Sequence, residues 1–354
     1  MNSGWEENVL KVVPYVPGEQ PKEQNIIKLN TNENPYPPSP KVEEVIHNFN
    51  VEGLRKYPDP EATDLVEALA KRYHMPKEQI FVGVGSDDVL AMSFLTFFHG
   101  KKPILFPDIT YSFYDVWANE FEIPFETRAL NDRFEIVKED YFCDNGGIVI
   151  PNPNAPTGLA CSIGDLEAIV KNNPNSVVII DEAYGDFNGE SMLPLVDKYD
   201  NLLVTMTFSK SRSLAGSRIG FAFGSKKLIS YLLDVKYSFN SYTMDSLTIQ
   251  IGKASLEDED YFNQKVDEVV ATREWTKNEL KNLGFSFPDS KTNFIFAKHQ
   301  SLPAEEIFEY LKSKKIYVRY FKKPRIDNYL RISIGTMDEM KKLIEVLHEY
   351  VTRS

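Results

Sequence analysis

From about residue 60 onward, the apolar positions of the chain alternate between two periods. In "ATDLVEALAKRYH" (residues 62–74) they recur three and four residues apart, as on a helix with one buried stripe. The run "QIFVGVG" follows, too short and too β-rich for a helix, and "SDDVLAMSFLTFFHG" then reads as a helix again. Further apolar runs come at "PILFP", "GIVIP", "SVVIID", "LLVTM" and "IGFAF", each closed by turn residues and most of them separated by helix-length segments. Runs of this kind predict strands buried on both faces of a mostly parallel sheet.

The pattern changes after residue 240. Two helices are predicted between about 240 and 283, then a strand at "NFIFA", a helix at "AEEIFEYLKSK", strands at "IYVRYF" and "YLRISIG", and a last helix at "DEMKKLIEVLHEYV". That is a smaller α+β unit appended to an α/β layer. The first thirty residues have no clear period and end in "KLNTNENPYPPSP", where Pro and Asn forbid a long helix. The expected organisation is an arm over 1–30, docked rather than loose, a large domain over 31–238 and a small domain over 239–354.

Composition narrows the partners. The 354 residues carry a net charge of -12, which repels nucleic acid and anionic membranes. No apolar run approaches the ~20 residues of a membrane span. The first residues do not read as a secretory signal, and the two cysteines, Cys143 and Cys161, have no CxxC spacing. A cytoplasmic protein with reduced thiols is expected. The five histidines are scattered without a ligand pattern, so no metal site is predicted.

Candidate chemistry collects at strand ends, where open α/β sheets bind ligands. "VGVGSDDVL" turns from strand to helix at Gly85, Ser86 and Asp87, offering free backbone N–H groups that suit a phosphate, although it is neither a P-loop nor a dinucleotide fingerprint. "VVIIDEAYGDF" ends a buried strand on Asp181, with Tyr184 three residues on. "PNPNAPTG" packs three prolines into eight residues, a rigid turn that allows cis bonds. "TFSKSRSLAGSRIGFAFG" sets Lys210 among small and hydroxylated residues, with Arg218 beyond. A lysine in a cationic, partly desolvated site becomes nucleophilic. Pyridoxal phosphate would use all of these groups together: an amine to bind covalently, an acid for its ring nitrogen, a donor for its phenolic oxygen, and N–H groups, hydroxyls and an arginine for its phosphate.

These motifs resemble those of the fold type I pyridoxal-phosphate aminotransferases and, among them, the histidinol-phosphate aminotransferases. "NTNENPYPPSP", "KYPDP", "GVGSDDV", "PNPNAPTG", "DEAYGDF", "TFSKSRSLAG" and "YLRISIGT" match in order, across roughly residues 14–350. The resemblance implies a seven-stranded, mostly parallel sheet in the large domain and pyridoxal 5'-phosphate as cofactor. Lys210 would be its covalent anchor and proton carrier, Asp181 the partner of the ring nitrogen, and Tyr184 a donor to the phenolic oxygen. Ser86 and Asp87 (through their N–H groups), Thr207, Ser209 and Arg218 would hold the phosphate, and Tyr111 would stack on the ring. Tyr57 would reach the phosphate of a neighbouring subunit in a homodimer with shared sites. The chain departs from the family at Ala155, where asparagine usually precedes Pro-Thr-Gly, so that either Asn154 takes over or Tyr184 makes the phenolic contact alone. Arg212, at a place often aromatic, is expected to be a surface or interface charge.

The same resemblance implies the substrates. Arg331 would take an α-carboxylate, Arg319 the phosphate of histidinol phosphate, and Tyr15 would touch substrate from the arm. The expected reaction is a ping-pong transamination between L-histidinol phosphate and 2-oxoglutarate. A broad aromatic aminotransferase is the nearest rival. A phosphothreonine decarboxylase and a catalytically silent regulator lie further off, since the former's relatives begin with a different arm and the latter would carry a DNA-binding module.

Overall fold

The computed structural model describes residues 4–187 and 189–353. An irregular arm leads into β1 (Ile27–Lys28), followed by α1 (Pro40–His47) and α2 (Thr63–Tyr73). The central layer is then built from β2 (Ile80–Val84), α3 (Gly85–Phe97), β3 (Ile104–Pro107), α4 (Tyr114–Glu120), β4 (Phe125–Arg128), β5 (Gly147–Pro151), α5 (Ile163–Asn172), β6 (Val178–Asp181), β7 (Leu202–Thr207) and β8 (Ile219–Gly224). Its seven strands lie in the order β2-β8-β7-β6-β5-β3-β4, and all are parallel except β8, which runs against both its neighbours.

Burial explains why the strands announced themselves as apolar runs. Every residue of β3, β5, β6, β7 and β8 is buried. Side chains alternate between two cores: Val178 and Ile180 of β6 enter one, and Ile179 enters the other. The seventh strand, β4, left no such run because "FETR" is an edge strand whose middle two residues are exposed.

Three helices follow: α6 (Lys226–Phe239), α7 (Ser246–Leu256) and α8 (Glu259–Asn282). The core that holds Leu65 and Leu69 of α2 also takes Met244, Ile249 and Ile251. A boundary at 238/239 would cut through it, so α7 packs as part of the large layer. A third core gathers α8, β10 (Phe294–His299), α9 (Ala304–Ser313), β13 (Leu330–Ser333) and α10 (Met337–Arg353), and is joined by Leu29, Tyr184 and Phe187 from earlier in the chain. Its sheet runs β12-β13-β10-β9, all antiparallel, with β9 at Phe285–Ser286 and β12 at Arg319–Tyr320.

The run "IYVRYF", expected as one strand, is divided at Val318. Its first half, β11 (Ile316–Tyr317), pairs in parallel with β1 of the arm, and its second half is β12. This ladder, with the Tyr15 ring stacked on Phe113 at 4.2 Å, docks the arm onto both units. Among the described residues no helix is long and apolar enough to cross a membrane.

Candidate active site

The parallel strands β5, β6 and β7 end side by side, with Pro151, Asp181 and Thr205 in register. Beyond those ends lies a cavity of about 180 Å³ lined by Ser86, Asp87, Tyr111, Asp181, Tyr184, Ser209, Lys210 and Arg218, together with Ala155. The sequence-predicted residues among these thus converge from four separate segments. Asp181 is almost wholly buried, and burial pushes its carboxyl up to about 6. Three donors oppose that effect: Tyr114 Oη at 2.8 Å, Ala183 N at 3.1 Å and Thr205 Oγ1 at 3.4 Å. Tyr114 was not foreseen from the sequence, because nothing in "ITYSFY" marks its second tyrosine as the partner of Asp181.

At the other end of the cavity, α3 starts at Gly85 without a capping side chain, so its first N–H groups are left for a ligand. Gly85 has φ +85, and a Cβ there would sit 2.5 Å from Arg218 Nη2. Gly220 on β8 is as constrained, since a Cβ would meet the Gly85 carbonyl carbon at 2.2 Å. These glycines let the guanidinium close over the helix start. Arg218 Nη2 donates to Asp87 Oδ2 at 3.0 Å, and Tyr111 Oη donates to Asp87 Oδ1 at 2.7 Å. The Asp87 side chain therefore holds the arginine and the tyrosine in place.

Lys210 follows β7 on a tight loop, with Nζ 5.7 Å from the Tyr184 ring centroid. The loop is pinned from the "NENP" segment, where Asn34 Nδ2 donates to the carbonyls of Lys210 (2.9 Å) and Ser211 (3.2 Å). Ser211 in turn donates to Asp186. The neighbouring Arg212 corrects the sequence expectation of a surface or interface charge. Its side chain is 2% exposed, donating to Ser255 O (2.8 Å) and Glu259 Oε1 (2.9 Å), with its Cζ 4.0 Å from the Phe262 ring centroid. A guanidinium, planar and weakly hydrated, can take the place of an aromatic side chain in such a slot.

Other expected residues stand outside the cavity. Asn154 does not reach it: its amide donates to Ile109 O (2.9 Å) and Thr157 Oγ1 (3.1 Å) and accepts from Thr110 Oγ1 (3.1 Å), bracing the turn that contains the cis bonds Asn152-Pro153 and Ala155-Pro156. The Asn154 amide is thus engaged within its own turn, and Ala155 lines the cavity in its place. Thr207 stands one step behind, with its hydroxyl 3.0 Å from Ser209 Oγ and 3.2 Å from Ile219 O. Tyr57 is 81% exposed and stacks on Tyr242.

A second pocket adjoins the first through Tyr111 and Ala155, and Tyr15, Arg319 and Arg331 line it. The arginines face each other across antiparallel β12 and β13, an arrangement that costs energy when no anion lies between them. Arg331 Nη2 donates to Asn30 O at 3.0 Å, but its buried Nε has no partner. Burial lowers the Arg331 guanidinium below its ordinary value, and Arg319 adds to that effect. Among the described residues no cluster of metal-ligating side chains occurs.

Comparison with known proteins agrees with this geometry. Residues 24–347 match the family described as aminotransferase class I and II. The histidinol-phosphate aminotransferase of Lactococcus lactis subsp. cremoris is 53% identical over 347 residues, covering 98% of each chain. Among solved structures, the histidinol-phosphate aminotransferase of Clostridium acetobutylicum superposes with a TM-score of 0.86 at 20% identity, covering 93% of this chain and 100% of that one. That of Sinorhizobium meliloti, in complex with pyridoxal-5'-phosphate, gives 0.82 at 22% identity, covering 92% and 91%. The fold, the strand-end cavity and the extent of these matches lead to one conclusion: the chain belongs to the class I and II aminotransferases and, within them, to the histidinol-phosphate aminotransferase family.

Proposed function

We propose that the protein transfers an amino group from L-histidinol phosphate to 2-oxoglutarate, giving imidazole acetol phosphate and L-glutamate, or the reverse as histidine biosynthesis requires, with pyridoxal 5'-phosphate as cofactor. The observation that carries this reading is the pair Arg319 and Arg331, opposed in register beside a cavity that holds a lysine and a buried acid. One half-reaction brings a phosphate ester to those arginines and the other a dicarboxylate, and both are substrates on which two guanidinium groups can act at once. Phenylalanine offers a single carboxylate.

The cavity fits the cofactor on three counts. Gly85 leaves a cradle at the helix start that a Cβ would fill, Asp181 is a buried carboxylate in want of a cation, and Lys210 lines the same cavity with an amine. When bound, the cofactor supplies an electron sink for the substrate carbon that bears nitrogen. Lys210 Nζ would hold it and would carry the proton at that carbon. Asp181 would partner the ring nitrogen, and a cation there would offset the burial that raises its carboxyl. The N–H groups of Ser86 and Asp87, with Ser209 and Arg218, hold the phosphate. Thr207 orients Ser209, Tyr111 covers the ring, and Tyr184 donates to the phenolic oxygen. Arg331 receives the α-carboxylate of glutamate, Arg319 the phosphate of histidinol phosphate, and Tyr15 closes the substrate pocket from the arm.

Exposed Tyr57, together with Val51 (70% exposed) and Leu54 (56%) from the same segment, supports a homodimer in which Tyr57 enters the partner's site. An acidic enzyme of small-molecule biosynthesis with two free thiols suits the cytoplasm.

The test is to mix the cofactor-loaded protein with L-histidinol phosphate or L-phenylalanine at matched low concentration and follow the absorbance of the lysine-bound cofactor. Discharge by histidinol phosphate far ahead of phenylalanine is expected. Equal or faster discharge by phenylalanine would leave the Lys210 chemistry standing and transfer the assignment to a broad aromatic aminotransferase.

A further inference from the structure

The wall of the cavity formed by Pro151, Ala155, Ala183 and Tyr184 has one polar side-chain atom, the Tyr184 hydroxyl. A phenol can donate or accept, and which it does toward the cavity depends on what holds it from behind. Behind it lies Asn32, 1% exposed, whose Nδ2 donates to Tyr184 Oη at 2.8 Å.

The orientation of the Asn32 amide follows from its other partner. Ser333 Oγ accepts from the backbone N–H of Asn32 at 2.9 Å and donates its own proton to Asn32 Oδ1 at 3.0 Å. Turning the amide over would leave the Ser333 proton without this acceptor and bring Oδ1 to the tyrosine, so the hydrogen bonds are satisfied in one arrangement. Asn32 itself is fixed by Asn293 Nδ2, which donates to its carbonyl at 3.0 Å, and its φ of 57 is one that Asn tolerates. An amide nitrogen cannot accept. The Tyr184 proton is therefore directed away from Asn32, and the open side is the cavity.

We infer that Asn32 is a positioning residue that makes Tyr184 a hydrogen-bond donor into the cofactor cavity, supplying through the Ser333–Asn32–Tyr184 relay the directionality that the methyl of Ala155 cannot. This rests on the reading of the cavity as the cofactor site and of Tyr184 as partner of the phenolic oxygen. Asn32 lies in a motif conspicuous in the sequence, yet neither its spacing nor its neighbours disclosed a role. The relay also ties the donor to β13, the strand that carries Arg331 two residues before Ser333 on the same face.

Asn32→Asp is the informative variant, nearly isosteric and equally suited to this backbone. An aspartate accepts, so the Tyr184 proton would turn away from the cavity. A donor to the phenolic oxygen favours its anionic form, so losing it raises the pH at which the absorbance of the lysine-bound cofactor titrates, by about one unit for a hydrogen bond to a charged atom.

We expect Asn32→Asp to raise that midpoint about as far as Tyr184→Phe does. In the Tyr184→Phe background it should move the midpoint much less, because the proton it redirects is gone. An unchanged midpoint in Asn32→Asp, or an equal shift in both backgrounds, would overturn the proposal. Should Asn32→Asp fail to fold, Ser333→Ala releases the amide and is expected to give a smaller rise, and no rise would count equally against the relay. If Tyr184→Phe itself leaves the midpoint unmoved, it is the underlying assignment of Tyr184 that fails.

Discussion

The two adjoining pockets differ in how their polar groups are satisfied. In the cavity at the strand ends almost every polar group has an internal partner: Asp181 has Tyr114, Thr205 and Ala183, Arg218 has Asp87, and Tyr184 has Asn32. In the neighbouring pocket two arginines oppose each other in register, and the Nε of Arg331 is buried without a partner. The first arrangement holds its groups in fixed directions for a ligand that stays. The second keeps an unsatisfied demand for negative charge, which suits a ligand that arrives, reacts and leaves. The division also follows the fold, since the first pocket comes from parallel strand ends and the second from the arm and an antiparallel ladder.

Removing the lysine should break the resident site most completely. Lys210→Ala is expected to lower kcat by about four orders of magnitude, the upper range for a group that carries protons, and to release the cofactor on dialysis. Steady-state kinetics and the visible spectrum after dialysis check both parts.

The transient site should respond in the opposite manner in stability and in activity. Arg331→Met is expected to cost about 2–5 kcal/mol of substrate recognition, roughly thirtyfold to several thousandfold in kcat/KM for glutamate and histidinol phosphate alike. Its urea midpoint without substrate should hold or rise, because the variant removes a buried charge that lacks a full set of partners. A large fall in the midpoint would mean that Arg331 belongs with the preorganised groups instead.

Arg212 sharpens the contrast from the other direction. Buried, paired with Glu259 and lying over the Phe262 ring, it secures the loop that carries Lys210. Arg212→Ala should destabilise the protein by about 3 kcal/mol or more, read as a lower urea midpoint at unchanged slope.

The most gradual effect is a pH dependence. Burial raises the carboxyl of Asp181 to about 6 and that of neighbouring Glu182 to about 7. Each binds a proton in the folded state at a pH where the unfolded chain has released it, so their burial is without penalty near pH 4 and is felt fully above about pH 7 for Asp181 and about pH 8 for Glu182. Cofactor-free protein should therefore lose stability as pH rises from about 4.5 to 7.5, by up to about 3 kcal/mol for Asp181. Carboxylates held low by lysines, such as Asp289 at about 2, act in the opposite sense but below that window. In the loaded protein the Asp181 share should vanish and the share of Glu182 remain. Thermal melts of both forms across the window check the difference, and parallel profiles would separate Asp181 from the cofactor.

The sequence by itself determined the parallel sheet, because strands buried on both faces must be apolar throughout and so stand out as runs. It determined the cavity residues of contiguous motifs for a related reason: Lys210, Asp181 and Arg218 occupy strand ends where a charged residue has no ordinary packing role. Tertiary structure alone decided the rest. Edge strand β4 is half exposed and left no pattern, and "IYVRYF" was divided because β1, almost 300 residues away in sequence, claimed its first half. The packing of α7 on α1 and α2, the burial of Arg212 and the diversion of Asn154 into its own turn likewise depend on partners distant in the sequence. So does the relay from Ser333 through Asn32 to Tyr184, which joins residues 301 and 152 positions apart. Local composition reports which groups are costly to bury, whereas the partner that satisfies each one, and hence the direction in which its proton points, is settled only when the chain closes on itself.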